Sequence, residues 1–134
     1  MADYPFQFSL CRTVQAAELD EMNHVNNVVY LRWVQDVAKA HWHHVGSHLL
    51  NKYVWVALRH EIDYLSAAVV NDEVEVLTWV GAAEGARFER FIVIRNQRTR
   101  QEFAKAKTIW CMLDAGTLKP RRVSEEVLKI FNHG

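Results

Sequence analysis

Hydrophobic positions along the chain change period twice. Phe6, Phe8 and Leu10 alternate with Gln7, Ser9 and Cys11, which predicts a strand with one apolar face. From Val28 to about His44 the period becomes helical. Tyr30, Trp33, Val34, Val37, Ala38 and Val45 form an apolar stripe, with Arg32, Gln35, Asp36, Lys39 and His43 mostly opposite. Leu31 and Trp42 widen the stripe beyond that of a surface helix, so the expectation is a helix covered on most sides and wrapped by a sheet. Gly46 is expected at C′, ending it. The period then returns to two. Val54, Val56, Leu58, His60, Ile62 and Tyr64 alternate against Trp55, Ala57, Arg59, Glu61 and Asp63 in a strand from Tyr53 to Leu65, long enough to pair on both edges. Val74 to Val80 predicts a third strand, Gly81–Gly85 a hairpin loop, and Arg87–Arg95 a fourth strand. Asn96 to Arg100 is a polar turn before a last strand from about Glu102 to Leu113, closed by Asp114-Ala115-Gly116. Turns at such short spacing predict an antiparallel meander. Ser124, with Glu125 and Glu126 behind it, caps a short final helix.

The order of elements is therefore strand, long helix, then four antiparallel strands, an α+β arrangement. At 134 residues it reads as one domain, 1–134, large enough to bury a substantial core. One helix cannot cover both faces of a five-stranded sheet. The second face carries Trp, Phe and Ile positions, so a homodimer or homotetramer is expected.

Composition removes several function classes. The chain is 50% hydrophobic and 24% charged, with a formal net charge of zero, and no basic run is dense enough for a nucleic-acid binder. No stretch approaches the ~20 apolar residues of a membrane span. The opening Met1-Ala2-Asp3-Tyr4-Pro5 is polar and leads straight into the first strand, so no secretory leader is read there. Cys11 and Cys111 lie far apart and form no CxxC. They read as buried thiols in a reducing compartment, with a bridge left open, and a cytoplasmic location is the expectation.

One polar stretch concentrates the candidate chemistry. Asp20-Glu21-Met22-Asn23-His24-Val25-Asn26-Asn27 brings an acid, an imidazole and three side-chain amides together just before the helix. Asn26 and Asn27 are good N-cap residues. A helix start offers unpaired N–H groups and the positive end of the macrodipole, which suits a developing oxyanion. An Asp and a His upstream then suit a base or a nucleophile. The alternative is a capped loop whose polar groups satisfy one another.

The order Asp20, His24, Val25, Asn26, Asn27, Tyr30 resembles the signature of hotdog-fold acyl thioesterases, both the 4-hydroxybenzoyl-CoA type and the plant acyl-carrier-protein type. The run His60-Glu61-Ile62-Asp63-Tyr64-Leu65, the Asn71-Asp72-Glu73 turn, and Ile109-Trp110 followed by Pro120-Arg121-Arg122-Val123 are similar to that family too. The resemblance implies a hotdog fold, a five-stranded antiparallel sheet wrapped around one long helix. It implies hydrolysis of an acyl thioester, with acyl-CoA as substrate and no metal or redox cofactor. It also implies protomers joined edge to edge, with active sites between subunits. It makes Asp20 the catalytic carboxylate, as nucleophile or general base, and gives the backbone N–H of Asn27 to the thioester oxygen. His24 resembles the histidine of the plant type. Met22 stands where that type has Asn, so His24 reads as an orienting or substrate-contacting residue. Asn26 reads as a cap or loop brace at the substrate site, and Tyr30 as core.

Other clusters carry less. His41, His43, His44 and His48 look metal-like, but Gly46 and Ser47 interrupt the spacing and no carboxylate or thiol joins them, so no metal site is read. Glu61 and Asp63 read as cross-strand ion pairs. Lys119, Arg121 and Arg122 form a basic cluster, and Arg87 and Arg90 add charge on the fourth strand. Arg121, Arg122 and Arg87 are the candidates for coenzyme A phosphates, the alternative being a solvated basic tip. Three rivals remain: a non-catalytic acyl-CoA-binding hotdog protein, an acyl-carrier-protein thioesterase, and a hotdog dehydratase or hydratase, whose signature the loop lacks.

Overall fold

The computed structural model of the chain describes residues 7–133, so Phe6 and the opening Met1–Pro5 lie outside it. The elements run β1 (Phe8–Thr13), α1 (Asn27–Val45), β2 (Tyr53–Tyr64), β3 (Glu73–Glu84), β4 (Arg87–Asn96), β5 (Glu102–Asp114) and α2 (Glu125–His133), with short 3-10 turns at Ala16–Glu18 and Ser47–Leu49. The five strands form one antiparallel sheet in the order β1-β3-β4-β5-β2. This is the hotdog arrangement: the sheet curls around α1, and its two edges are the short β1 and the long β2. Among the described residues, no helix is long and apolar enough to cross a membrane.

The helical stripe does what its breadth predicts. Val29, Tyr30, Trp33, Val34, Val37, Ala38, His41 and Trp42 are all buried. Two apolar clusters divide the interior. The first gathers Tyr30, Trp33, Val34 and Val37 against Val74, Val76, Ile92, Ile94 and Phe103. The second gathers Trp42, Tyr53, Phe88 and Met112 under α2, which contributes Val127 and Phe131. At ~1.5–3 kcal/mol for each fully buried large apolar side chain, these clusters are the main favourable contribution to the fold.

Four details differ from the sequence reading. β2 does not keep one alternation, because a bulge between Ala57 and Arg59 shifts its register against β5. Tyr53 and Trp55 face α1 before the bulge, while Ile62 and Tyr64 face it afterwards, so the extra residue reverses the parity. Gly81–Glu84 is not loop. β3 runs through it, past a second irregularity between Val80 and Ala83, to a two-residue turn. Gly85, at φ 60°, takes the first central position, where a left-handed backbone favours glycine. Gly46 ends α1 as its C-cap at φ −113°, outside the left-handed region. Its lack of a side chain matters for space instead, since a Cβ would come within 2.8 Å of the Trp42 ring. Cys111 is buried but Cys11 is exposed, and both are free thiols.

Candidate active site

The Asp20 loop is folded back on itself. Leu19 and Val25 form an isolated bridge, and the Asp20 N–H donates to the His24 carbonyl at 2.7 Å. Asn23 takes φ 62°, a left-handed conformation that asparagine tolerates better than most residues. Oδ1 of Asp20 closes the turn by accepting from the N–H groups of Met22 (2.9 Å) and His24 (3.2 Å). The bracing role is therefore real, but it uses one oxygen. Oδ2 accepts from no described residue, and Asp20 is only half-buried.

Helix α1 begins seven residues downstream of Asp20. Asn26 is its N-cap, with Oδ1 accepting from Val28 N–H at 2.9 Å. The Asn26 N–H donates to the Glu18 carbonyl and the Val25 N–H to that of Ala68, which anchors the helix start against two loops. The Asn27 N–H finds no acceptor among the described residues. Tyr30 is buried, as expected of a core residue, and it also works locally: its hydroxyl accepts from Ala68 N–H at 3.0 Å. Burial pushes the Tyr30 phenol above its ordinary value, opposed by that hydrogen bond and reinforced by the charges of Asp72 and Asp20. Tyr64 OH donates to the Asn27 carbonyl at 3.4 Å, tying the far end of β2 to the helix start. The His24 ring is half-buried and has no hydrogen-bond partner among the described residues.

A cavity of about 440 Å³ lies at the other end of α1. Its walls include Trp42, Trp55, Phe88, Trp110 and Phe131, with Lys39, Glu89 and Arg90 as charged members. Trp42 meets Trp55 edge-on at 5.5 Å, and Phe131 meets Phe88 edge-on at 5.4 Å. The cavity's helix wall runs from Gln35 to His43, beginning ~12 Å along the axis from Asn27 and reaching Trp42 at ~22 Å, and neither Asp20 nor Asn27 lines it.

Arg90 is the unexpected occupant. The sequence reading counted it with the charge of the fourth strand, yet it is 5% exposed. Its Nη1 donates to His41 Nδ1 at 2.9 Å and to Thr78 Oγ1 at 3.0 Å, and the guanidinium lies 5.5 Å from the Phe131 ring centroid. Burial pulls its pKa down to about 9, which leaves it charged at pH 7. Burial, then the positive charges of Arg90 and His44, hold His41 at about 3, so the imidazole is neutral. Both residues could have been noticed in the sequence. Arg90 shares the inward parity of Phe88 and Ile92, and His41 continues the stripe through Trp33, Val34, Val37 and Ala38.

The other candidates fall elsewhere. Arg87 opens β4, and the Arg121–Val123 segment runs beside the hairpin turn, with Arg121 N–H on the Met112 carbonyl and Val123 N–H on that of Gly85. The structure thus gathers Arg87, Arg121 and Arg122 at one end of the sheet, all exposed. Tyr53 pairs with Asp114 at that end, whereas Tyr64 and the Asp20 loop lie at the other. The 12 residues of β2 separate them by roughly 35 Å. Arg121 is already engaged by Asp114 Oδ2 at 2.8 Å. Glu61 makes its ion pair along its own strand, with Arg59 at 2.6 Å. The cross-strand lysines opposite Glu61 and Asp63, Lys107 and Lys105, are paired with Glu89 and Glu102 instead. Among the described residues no three His, Cys, Asp or Glu side chains are grouped as metal ligands would be.

Comparison with known proteins agrees with this architecture. The sequence model of the Thioesterase-like superfamily matches residues 14–131. No curated protein matches the chain. Among solved structures, a 1,4-dihydroxy-2-naphthoyl-CoA thioesterase from Synechocystis is similar at a TM-score of 0.81, with 16% identity over 95% of this chain and 96% of its own. A probable thioesterase from Escherichia coli is similar at 0.79, with 20% identity over 92% and 96%. A hypothetical protein from Staphylococcus aureus, solved in complex with CoA, is similar at 0.83, with 18% identity over 99% and 86%.

Proposed function

The chain belongs to the Thioesterase-like superfamily, and we propose that it hydrolyses an acyl thioester, with acyl-CoA as substrate, at a site shared between two copies. One observation carries this reading. At a single loop, a carboxylate with one unengaged oxygen stands beside a helix start whose Asn27 N–H is unpaired. As general base, Asp20 Oδ2 takes a proton from water, and the water oxygen bonds to the thioester carbonyl carbon. The carbonyl oxygen becomes an oxyanion held by the Asn27 N–H and the positive end of α1. Collapse breaks the C–S bond, and the thiolate leaves as the thiol with the proton that Asp20 took up. As nucleophile, the same oxygen would attack directly and water would release the acid afterwards.

The separation of Asp20 from the cavity and the arginines supports a two-chain site. β2 is a long free edge whose Val56, Leu58 and Tyr64 are 42–47% exposed, with Leu65 beyond them at 52%. Such an edge invites pairing with a copy of itself. A two-fold antiparallel pairing centred on the middle of β2 sets the Tyr53 end of one chain against the Tyr64 end of the other. The cavity, Arg87, Arg121 and Arg122 of one copy then approach Asp20, His24 and Asn27 of the other. Arg87 and Arg122, joined by Arg121 once it exchanges Asp114 for the ligand, would take the nucleotide phosphates while the cavity takes the acyl group.

Thiol release measured over a series of acyl-CoA esters tests the reading. Asp20→Asn keeps Oδ1 and its two backbone bonds but removes the charge. kcat is expected to fall ~10²–10⁴-fold, with KM and melting temperature little changed. Near-wild-type turnover with an earlier melt would make the loop purely structural. Binding of acyl-CoA without any thiol release would favour the non-catalytic reading, and release from acyl carrier protein alone would change the thiol.

A further inference from the structure

We infer that the cavity selects acyl groups ending in a carboxylate, with Arg90 as the residue that receives it. This rests on the thioesterase reading for its reaction, but on the cavity alone for its ligand chemistry.

Arg90 is a buried positive charge in a cavity lined mainly by aromatic and aliphatic side chains, with Gln35, Lys39, His43 and Glu89 as the other polar wall residues. Its Nη1 is committed to His41 and Thr78, while Nε and Nη2 bond to no described residue. Neither partner is an anion. Thr78 is a hydroxyl that itself donates to the Phe91 carbonyl, and His41 offers only a lone pair. The one acid in the cavity wall, Glu89, is turned to other partners, with Lys107 at 3.1 Å and the Ala82 N–H at 3.2 Å. No carboxylate among the described residues forms an ion pair with Arg90. A buried charge left without an anion is costly, so an unpartnered one calls for a function. The Arg90 guanidinium therefore has donors to spare and wants an acceptor. A terminal carboxylate is acceptor-only, carries the missing charge, and can be gripped by two guanidinium N–H groups at once. Trp42, Phe88 and Phe131 would line the hydrocarbon that leads to it. A methyl terminus in the same place would leave the guanidinium desolvated and unpaired.

The test compares acyl-CoA esters of equal length, suberoyl-CoA against octanoyl-CoA, by thiol release from the intact chain. The expected result is a kcat/KM roughly 10–100-fold higher for suberoyl-CoA. Arg90→Met should abolish or invert that preference, and Arg90→Lys should restore part of it. Equal or better use of octanoyl-CoA by the wild type overturns the inference, and this comparison needs no variant to fold. Suberate binding, read from tryptophan fluorescence with octanoate as control, separates the two readings. Selective suberate binding that Arg90→Met loses, without thiol release from either ester, would keep the carboxylate site and sink the thioesterase. Thiol release that requires Asp20 but ignores the terminal carboxylate would do the reverse.

Discussion

Asp20 and Arg90 show how differently two charged residues advertise themselves. Asp20 sits in an ordered polar run, and its role as loop brace follows from residue types that close turns through side-chain oxygens. What the run could not reveal is that bracing occupies only Oδ1. Arg90 and His41 were legible in principle, since each occupies an inward position of its element. A lone arginine in a strand is ordinarily solvated, however, so parity alone does not mark Arg90 as buried. Their pairing has a consequence for stability. Burial, with the charge of Arg90, holds the His41 pKa at about 3 in the fold against 6.5 for a free imidazole, and burial lowers His60 in the same direction. Below pH 6.5 the unfolded chain binds protons that the folded chain refuses, so stability is full above that value and falls as pH drops toward 3. His41 alone should cost on the order of 2 kcal/mol by pH 5. His41→Gln keeps an acceptor for Arg90 without the titration. Urea midpoints at pH 7 and pH 5 should therefore differ less in the variant, and an unchanged difference would place the effect on other groups.

At the scale of elements, periodicity located every strand and both helices, because each buries one face against a common interior. The misplacements share one cause. Bulges insert a residue without changing composition, so the parity reversal of β2 at Ala57–Arg59 left no mark in the pattern of hydrophobic positions. The same blindness extended β3 past its predicted end. Gly46 was expected at the right place for a different reason: it is excluded volume beside Trp42, not a left-handed turn, that requires it. Gly46→Ala should push the Trp42 ring, and through it Trp55 and Phe131, which pack on it at 5.5 and 6.0 Å. We expect a loss of roughly 1–3 kcal/mol in chemical denaturation. Because Trp42 is a cavity wall, KM for the acyl thioester should rise while kcat is largely kept. A variant as stable as the wild type would mean that the C-cap, and not the ring contact, is what glycine serves.

The whole molecule raises the question that one chain cannot answer by itself, namely how a carboxylate at one end of α1 serves a cavity at the other. The proposed pairing through β2 would resolve it and makes a stringent prediction. Each active site would draw Asp20 from one copy and its acyl cavity from the other. Asp20→Asn would disable the first contribution, and Ala38→Phe, which fills the cavity from a helix position that lines it, would disable the second. Each variant alone should be nearly inactive, the second with a circular-dichroism spectrum like that of the wild type. Mixed under conditions that exchange subunits, half of the dimers should be hybrids with one intact site of two. About a quarter of wild-type thiol release should return, as two-fold symmetry requires. Light scattering should show a mass at least twice the 15.6 kDa of one chain. A monomer in solution, or no recovery on mixing when hybrids demonstrably form, would place carboxylate and cavity in separate functions and remove the shared site.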